Sequence, residues 1–370
     1  MGNEIKLSGW QIAGGFPGRV YFRAGNDALY EANLRLRTCD RVYLMMAKYP
    51  VRTFDDLFEG CYRIDWQDFF FKDVRLVVDK VRAYKSPLKS EHSIQSVVQK
   101  AIYTKLGDVW HMRTLPETGA AACVRVYMEK ECAVILLDTS GEPLHKRGWR
   151  QEGGAAPLRE TVAAAMLHAA LWRRKIPLVD PFCASGTIPI EATLFACNAS
   201  PGLWRHFAYK NLAIYERERE QQIKLQEIAK IRTDVRYDIQ GSDIDPVAIE
   251  RAKTNCQRAL SAVEKSLESV GVSFHLVRPV FSVSDFVDLR AQDRERGLIL
   301  CNPPFGERLG EKQEAEDLYK QMRALAENFN GWSLAALSCR ENFQQCFGKK
   351  AVEVRPLRAG NLNTSLYIYR

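Results

Sequence analysis

The sequence predicts an α/β protein in which a doubly wound, mostly parallel sheet follows an α+β region. One observation is a run of four apolar residues at 298–301, typical of a buried parallel strand, followed by two prolines that end ladder pairing. Another is a pair of strand–turn–helix units at 178–197 and 237–260. The polar residues after these strands are therefore expected at the carboxyl edge of the sheet, where open α/β sheets bind ligands.

Composition sets broad limits on the class of protein. The 370 residues suffice for two or three domains, and a 46% hydrophobic content is ordinary for a globular protein. A net charge of +8 permits a polyanionic partner without requiring one. The 10 cysteines form no Cys-x-x-Cys pair or zinc-like cluster, and no signal peptide or 18-residue apolar run is visible. We therefore expect a cytoplasmic protein with reduced thiols, no metal and no membrane span.

The amino-terminal part alternates predicted strands and helices. Ser93 is expected to cap a helix that runs through Tyr103. Gly153 and Gly154 indicate a linker, so we place a domain boundary near residue 152. The other elements expected here are strands at 18–23, 39–47, 74–83, 124–129 and 132–138, and helices near 27–36 and 54–58.

Two basic segments are candidates for RNA binding. Lys85 and Lys89 lie in a turn before the predicted helix, whose N-terminus favours phosphate; a solvated lysine edge is the alternative. The second segment combines cations that neutralise phosphate with an indole that can stack on a base. Its candidate residues are Lys146, Arg147, Trp149 and Arg150.

A turn of small residues follows the strand that ends at Asp180. The next helix begins near Ile188, so its N-terminal amide groups face the carboxyl end of the strand. Ala184, Ser185 and Gly186 would let a ligand approach the main chain closely. A carboxylate-bearing ligand would suit these amides, with Asp180 available to its ammonium group. A plain strand–helix connection is the alternative.

The second unit ends in the acids Asp243 and Asp245. An acid at this place commonly holds a ribose diol, because two acceptors match two vicinal hydroxyls; Asp245 alternatively caps the next helix. Asp285 follows a third strand and could meet an adenine amino group. The other elements expected are a charged, solvated helix at 216–232 and strands at 274–280, 332–338, 350–354 and 365–369, the last two antiparallel.

The turn after residues 298–301 suits methyl transfer to an amino group conjugated with a ring. Such a nitrogen is a poor nucleophile, but two acceptors that hold its hydrogens favour a pyramidal geometry. The Asn302 side-chain oxygen and the Pro303 carbonyl are the candidate acceptors. Phe305 offers a flat face to the base, a contact worth about 1–3 kcal/mol. The alternative is an ordinary strand-ending turn with a core phenylalanine.

These segments carry a family resemblance. The stretches beginning at Asp180, Gly241, Asp285 and Asn302 resemble the S-adenosylmethionine-binding and amino-methylating motifs of class I methyltransferases. Residues 144–150, 156–161 and 89–102 more specifically resemble the THUMP-domain RNA methyltransferases that make N2-methylguanosine in 23S ribosomal RNA. The resemblance implies a partial ferredoxin-like subdomain at 1–50, a THUMP RNA-binding domain at 51–152 and a class I (Rossmann-like) methyltransferase domain at 153–370.

The resemblance also implies roles for single residues. Asp180, Ser185 and Gly186 would line the methionine end of the cofactor, and Asp243 would hold the ribose. Ile244 and Phe286 would face the adenine, and Asp285 would bind its amine. The target base would be presented by Asn302, Pro303, Pro304 and Phe305. The full cofactor-binding set is Pro157, Asp180, Cys183, Ala184, Ser185, Gly186, Asp243, Ile244, Asp285 and Phe286.

This chain departs from the family pattern at two places. Ala184 stands where members usually have glycine, and its methyl group is expected to crowd the cofactor. The amino terminus is expected to begin inside the family's first subdomain, without the strand and helix that normally precede residues 4–7.

The leading hypothesis is S-adenosylmethionine-dependent methylation of an exocyclic base amine in RNA, with guanine N2 of 23S ribosomal RNA as the target. Adenine-N6 methylation of DNA or RNA uses the same Asn-Pro-Pro-aromatic turn and is an alternative. A catalytically weak RNA-binding factor in ribosome assembly is another, favoured by Ala184. A nicotinamide dehydrogenase is disfavoured, because no Gly-x-Gly-x-x-Gly turn occurs.

Overall fold

The computed structural model describes residues 1–150, 157–306, 311–360 and 362–370. The first 50 residues form an antiparallel hairpin between two helices, followed by the first strand of a second sheet. In order, the elements are α1 (Gly2–Leu7), β1 (Gln11–Phe16), β2 (Arg19–Arg23), α2 (Ala28–Arg35) and β3 (Tyr43–Pro50). The strand expected at 39–47 thus begins later, at Tyr43.

A four-stranded sheet with helices on one face follows. Its strand order is β3-β6-β5-β4, with β4 parallel to β5. Alternate residues of β5, from Ala122 to Met128, are buried because successive side chains point to opposite faces of a strand. The elements are α3 (Phe54–Tyr62), β4 (Arg75–Tyr84), α4 (Glu91–Trp110), β5 (Ala121–Glu129) and β6 (Cys132–Asp138).

Helix α4 begins earlier than the sequence predicted. Ser90, not Ser93, is its N-cap, because the Ser90 hydroxyl oxygen accepts the Ser93 backbone amide at 3.2 Å. The helix then continues to Trp110 rather than ending near Tyr103.

The carboxyl-terminal part contains a seven-stranded sheet in the order β12-β13-β11-β10-β7-β8-β9. Only β13 runs antiparallel to its neighbours in the described sheet, so the predicted mostly parallel architecture is confirmed. The elements are α5 (Glu160–Ala169), β7 (Leu178–Asp180), α6 (Thr187–Ala196), α7 (Arg217–Ala229), β8 (Ile239–Asp243), α8 (Pro246–Glu268), β9 (Val280–Val283), β10 (Leu298–Cys301), α9 (Glu311–Gln321), α10 (Arg323–Asn328), β11 (Ser333–Ser338), α11 (Phe343–Phe347), β12 (Glu353–Ala359) and β13 (Leu362–Tyr369). None of the described helices is both long and apolar enough to cross a membrane.

The strand expected at 274–280 was placed too early. The segment before Pro279 packs on α8 instead of entering the sheet, and the Leu276 amide donates to the Glu264 carboxylate at 3.0 Å. Because Pro279 has no N–H group, ladder pairing begins only at Val280.

The charged helix α7 is not simply a solvated face. Its Glu227 is buried and pairs with Arg35 of α2 at 2.7 Å, and Glu220 accepts the Tyr209 hydroxyl at 2.9 Å. Buried residues between α6 and β8 belong to the hydrophobic core of the amino-terminal part. They are Phe207, Tyr209, Leu212 and Ile223. The boundary expected near residue 152, with Gly153 and Gly154, lies outside the described residues.

Buried contacts of Arg147 link α6 to the amino-terminal part of the chain. The Arg147 guanidinium lies 3.2 Å from the Glu191 carboxylate of α6, and the two residues are 1% and 0% exposed. Arg147 also donates to the backbone oxygens of Leu144 at 2.9 Å and Arg37 at 2.6 Å.

The predicted RNA contacts of Arg147 and Trp149 are wrong. The Trp149 ring is buried in a cluster with Ile190 and Leu194 of α6, and Arg147 is occupied by Glu191. Neither side chain is available to phosphate or to a base. An amphipathic basic stretch at a domain junction and one on a nucleic-acid surface have the same composition, which misled the sequence interpretation.

The first testable prediction concerns this junction. Arg147→Met should lower the free energy of unfolding by about 3–5 kcal/mol, because it leaves the Glu191 carboxylate buried without a cation. The double variant with Glu191→Leu should recover much of that loss. The matched control, Arg52→Met, removes a pair with Glu131 whose side chains are 74% and 59% exposed, and should cost less than about 1 kcal/mol. Urea unfolding would contradict the assignment if Arg147→Met and Arg52→Met lost equal stability.

Candidate active site

The carboxyl ends of β7, β8 and β10 meet at one edge of the sheet, as parallel pairing requires. Two backbone hydrogen bonds shape the β7–α6 turn (181–186): the Cys183 amide donates to the Ser242 carbonyl at 2.9 Å, and the Gly186 amide to the Cys183 carbonyl at 2.7 Å. The Ala184 amide donates to the Asp243 carboxylate at 2.9 Å. The predicted cofactor residues on β7 and β8 are therefore brought into direct contact.

The small size of Gly186 is a packing requirement. It has φ +83°, and a Cβ built on it would lie 3.0 Å from the Ala252 Cβ and 3.2 Å from the Phe281 ring. Ala184 also adopts a left-handed backbone, with φ +45°, although it carries a methyl group. That conformation costs a non-glycine residue roughly 1–2 kcal/mol. The Ala184 side chain is exposed.

Asp180 lies in an electrostatic setting that favours a cationic ligand. Its side chain is fully buried and accepts the Phe182 amide at 3.1 Å. Burial raises the pKa of Asp180 well above its usual value, and the negative charge of Asp243 raises it further. An ammonium group beside this carboxylate would favour its ionised form and offset the burial cost.

Asp243 is oriented by the backbone around it. One carboxylate oxygen accepts the Ala184 amide at 2.9 Å and the other accepts the Asp245 amide at 3.0 Å. Each oxygen keeps lone pairs for a further donor, as binding of two hydroxyl groups requires. Asp245 itself accepts the Val247 amide at 2.8 Å and caps α8, which was the alternative considered for it.

The residues expected around adenine also reach this edge. The Ser284 amide donates to the Asp243 backbone oxygen at 3.0 Å, which places Asp285 next to β8. Ile244 is 70% exposed and offers an apolar face, whereas Phe286 is buried and packs against Phe182 with ring centroids 4.9 Å apart. The Asp285 carboxylate accepts the Val287 amide at 3.1 Å.

Arg150 has a position that sequence reasoning missed. Its guanidinium donates to the hydroxyls of Ser185 and Thr187, both at 2.8 Å, and to the Glu160 carboxylate at 2.9 Å. It also donates to the backbone oxygen of Leu158, next to Pro157, at 3.2 Å. Arg150 therefore holds the β7–α6 turn, whereas its role as an RNA contact stays a prediction. No local signal in the sequence distinguishes such an arginine from a phosphate contact.

The Asn302 turn (302–306) follows β10. The Asn302 side-chain oxygen is buried and has no hydrogen-bond partner among the described residues. Pro303 is buried, Pro304 is exposed, and Phe305 is half-buried against the core beneath β10. Glu307 and Arg308, which belong to the same sequence motif, lie outside the described residues.

Two residues that the sequence did not single out also touch this turn. The Tyr319 hydroxyl donates to the Pro304 backbone oxygen at 3.0 Å, and Arg340 donates to the Phe305 backbone oxygen at 2.8 Å. In the part of the chain that the structure describes, no group of three or more His, Cys, Asp or Glu side chains could hold a metal ion.

The predicted basic residues outside the junction are placed on the surface. Lys85 and Lys89 are exposed beside the N-terminus of α4. Lys146 is exposed too and pairs with Glu142 at 2.9 Å. These three residues keep their predicted role as candidate phosphate contacts.

Comparisons with known proteins match the whole arrangement. Residues 147–368 match the RMKL-like methyltransferase domain, residues 51–138 the THUMP domain, and residues 1–43 the RlmL ferredoxin-like domain. The chain is 36% identical over 358 residues to the protein named "Putative RNA methyltransferase YpsC" of Bacillus subtilis (strain 168), covering 95% of this chain and 88% of that protein. It is 31% identical to the ribosomal RNA large subunit methyltransferase K/L of Aliivibrio fischeri (strain MJ11), but spans only 48% of that protein's length while 93% of this chain is covered.

Solved structures resemble the chain over its full length. The crystal structure titled as SMU.472, a putative methyltransferase complexed with SAH, is 31% identical, with a TM-score of 0.86 over 100% of this chain and 93% of that one. A structure from Listeria monocytogenes str. 4b F2365, titled as a predicted N6-adenine-specific DNA methylase, is 32% identical, with a TM-score of 0.88 over 100% and 92% of the two chains. With its ferredoxin-like, THUMP and carboxyl-terminal regions all matched in order, the chain belongs to the family of THUMP-containing proteins with an RMKL-like methyltransferase domain.

Proposed function

We propose that this protein transfers a methyl group from S-adenosylmethionine to an exocyclic base amine in RNA, with guanine N2 of 23S ribosomal RNA as the target. The observation that carries the proposal is the side-chain oxygen of Asn302 at the carboxyl edge of the sheet, which is buried and has no hydrogen-bond partner among the described residues. A buried acceptor left without a donor costs free energy, so it indicates a donor that arrives with the substrate.

The residues around the β7–α6 turn fit the proposed cofactor. The buried carboxylate of Asp180 suits its ammonium group, and the fixed carboxylate of Asp243 suits its ribose hydroxyls. The exposed apolar face of Ile244 suits its adenine ring. A structure with 31% identity over the full length is titled as complexed with SAH, which supports the same assignment.

The cofactor supplies a methyl group on a positively charged sulfur, which needs only a correctly placed nucleophile. The Asn302 oxygen and the Pro303 carbonyl would each accept one hydrogen of the target amine and hold its lone pair towards the methyl carbon. As the new N–C bond forms the old S–C bond breaks, and the nitrogen then loses one proton to solvent. Flipping the base out of its stack costs about a few kcal/mol, which stacking on Phe305 can offset.

RNA as the substrate class rests on the amino-terminal half and on the relatives. A THUMP domain spans residues 51–138, and the proteins matched at 36% and 31% identity are named as an RNA methyltransferase and a ribosomal RNA large subunit methyltransferase. Lys85, Lys89 and Lys146 present cationic groups on the surface of this half. Adenine N6 offers the same two hydrogens to the Asn302 turn, and one relative is titled as a DNA methylase for that position.

Nucleoside mass spectrometry tests the proposal directly. Ribosomal RNA from cells with and without the protein should differ in N2-methylguanosine, and the purified protein with labelled S-adenosylmethionine should transfer label to the RNA of the deficient cells. Transfer to adenine N6 in DNA, which gives N6-methyl-2′-deoxyadenosine, with none to ribosomal RNA, would replace this proposal with the adenine alternative.

Asn302→Ala should lower kcat by about 10²–10³-fold, because it removes one of the two fixed acceptors for the amine. Its dissociation constant for S-adenosylmethionine should stay nearly unchanged, since the candidate cofactor contacts lie on other turns. Asn302→Asp keeps an acceptor oxygen and should retain more activity than the alanine variant. An equal loss of cofactor affinity and turnover would count against the assignment.

Asp243→Ala should mainly weaken cofactor binding, in contrast to Asn302→Ala, which should mainly lower kcat. Losing a charged acceptor should weaken S-adenosylmethionine by about 1–3 kcal/mol in calorimetric titration. The matched control is Asp245→Ala, which removes the cap of α8 two residues away and should lower stability by about 1 kcal/mol with little change in cofactor affinity. An unchanged dissociation constant for the Asp243 variant would show that this acid only holds the turn.

Replacing Lys85, Lys89 and Lys146 together by alanine should weaken RNA binding without changing the choice of base, because phosphate contacts position and base contacts specify. A plot of log affinity against log salt should also lose about one unit of slope per lost contact. The charge-matched control replaces Lys175, Lys265 and Lys349. These lysines are also exposed, but they lie in the region that matches the methyltransferase domain, far along the chain from Lys85 and Lys89. Identical slopes for the two triple variants would remove these lysines from the RNA surface.

A further inference from the structure

Three consecutive backbone carbonyls of the Asn302 turn are held by side chains from distant parts of the sequence. The Pro304 oxygen accepts the Tyr319 hydroxyl at 3.0 Å. The Arg340 guanidinium donates through Nε to the Phe305 oxygen at 2.8 Å and through Nη2 to the Gly306 oxygen. Among the described residues, none donates a hydrogen bond to the Pro303 carbonyl. We call these three hydrogen bonds the clamp. The clamp holds the carbonyls of residues 304–306, which directly follow the two acceptors proposed for the target amine.

Arg340 is itself fixed at the end of β11. Its backbone amide donates to the Ser338 hydroxyl oxygen at 3.0 Å, and its backbone oxygen accepts the Tyr367 hydroxyl at 3.1 Å. Ser338 lies on β11 and Tyr367 lies on β13. These two strands pair with each other in the seven-stranded sheet. The residue whose guanidinium holds the turn is thus fixed to two paired strands of the seven-stranded sheet.

Tyr319 extends the same network from the other side. Its ring is buried and packs edge-on against Phe343, with centroids 4.8 Å apart. Burial raises the pKa of Tyr319 to about 12, so the hydroxyl keeps its proton and can donate to Pro304. The Tyr319 oxygen lies 3.3 Å from the Ser338 hydroxyl, which can donate to it while accepting the Arg340 amide.

We infer that Arg340 and Tyr319 are positioning residues for methyl transfer: they fix the Asn302 turn so that the Asn302 side-chain oxygen and the Pro303 carbonyl point together at the target amine. This inference rests on the proposed function, because it assigns these two acceptors to the substrate. Neither residue is proposed to touch the substrate. Both act through the backbone of the turn, whose neighbouring residues 307–310 lie outside the described part of the chain.

The physical reason is the sensitivity of bimolecular chemistry to geometry. Two prolines fix φ within the turn, but they contribute no N–H groups that could attach it to the sheet. Arg340 attaches the turn through its carbonyl groups instead, because its planar fork donates to two of them and defines direction as well as distance. A displacement of about 1 Å at a reacting group can cost about 10²-fold in rate.

The test compares Arg340→Gln with a matched clamp elsewhere. Arg323 also donates to two consecutive carbonyls, through Nε to Phe347 at 2.9 Å and through Nη2 to Cys346 at 3.3 Å, but it does so between α10 and α11, without contact to the Asn302 turn. We expect Arg340→Gln to lower kcat on ribosomal RNA by about 10²-fold, with dissociation constants for S-adenosylmethionine and RNA within about twofold of the wild type. Arg323→Gln should lose similar thermal stability and keep its kcat.

Two further variants keep the inference falsifiable if Arg340→Gln folds poorly. Tyr319→Phe keeps the buried ring and removes only the hydrogen bond to Pro304, so kcat should fall by about three- to tenfold. Arg340→Ala should regain part of its kcat when guanidinium ion is added at non-denaturing concentration, whereas Arg323→Ala should not respond.

The outcomes separate this inference from the function on which it rests. Absence of methyl transfer to ribosomal RNA by the wild-type protein would remove the proposed function and its substrate. With an active wild type, an unchanged kcat for Arg340→Gln and Tyr319→Phe would overturn the positioning role alone. Equal losses of kcat in the Arg340 and Arg323 variants, or a loss that follows cofactor affinity, would overturn it as well.

Discussion

The packing of α6 against the amino-terminal part depends on Arg147, whose guanidinium pairs with the buried Glu191 carboxylate and donates to the Arg37 backbone oxygen. Glu191 lies in the middle of α6, whose N-terminus forms the candidate cofactor site. Arg150 holds the first turn of the same helix through Thr187, and Arg37 donates to backbone oxygens at its C-terminus. Because hydrogen bonds to charged groups each contribute about 1.5–3 kcal/mol, three arginines hold this helix along its length. The amino-terminal part therefore contacts the helix at the candidate cofactor site and also carries lysines proposed to bind RNA.

The active-site edge combines acceptors that are satisfied with one that is not. Both carboxylate oxygens of Asp243 accept backbone amides, so their direction is fixed before any ligand arrives. The Asn302 side-chain oxygen, in contrast, is buried without a donor from the described residues, and the turn that carries it is clamped by Arg340. Rigid support with an open acceptor is the arrangement that recognition of an incoming amine requires. Ala184 shows that strain is also tolerated here, since its left-handed backbone allows its amide to reach Asp243.

The sequence by itself predicted the mostly parallel sheet and the polar residues that lie at the carboxyl ends of its strands. Apolar strands that end in Asp180, Asp243 and Asn302 can be recognised locally, because strand period, proline and small-residue turns act over a few residues. The strand before Asp285 begins later than the sequence predicted, because residues 274–279 pack on α8, where the Leu276 amide donates to Glu264. No local sequence pattern indicates this contact. Ser90 caps α4, although the sequence predicted Ser93. Several serines stand close together here, and only the backbone path decides which of them caps the helix.

Only the tertiary structure decided which basic residues face solvent and which face the protein. Arg147 and Trp149 have the composition of a nucleic-acid contact, but Glu191 stands 44 residues further along the chain and its carboxylate makes burial of the arginine possible. In the same way, Tyr319 and Arg340 are ordinary residues in the sequence and acquire a role only when β10 and β11 are paired. Local propensity acts between near neighbours, whereas charge pairing and hydrogen bonding depend on distance in space. The sequence therefore predicted the candidate site residues, whereas the residues that support them could be identified only from the tertiary structure.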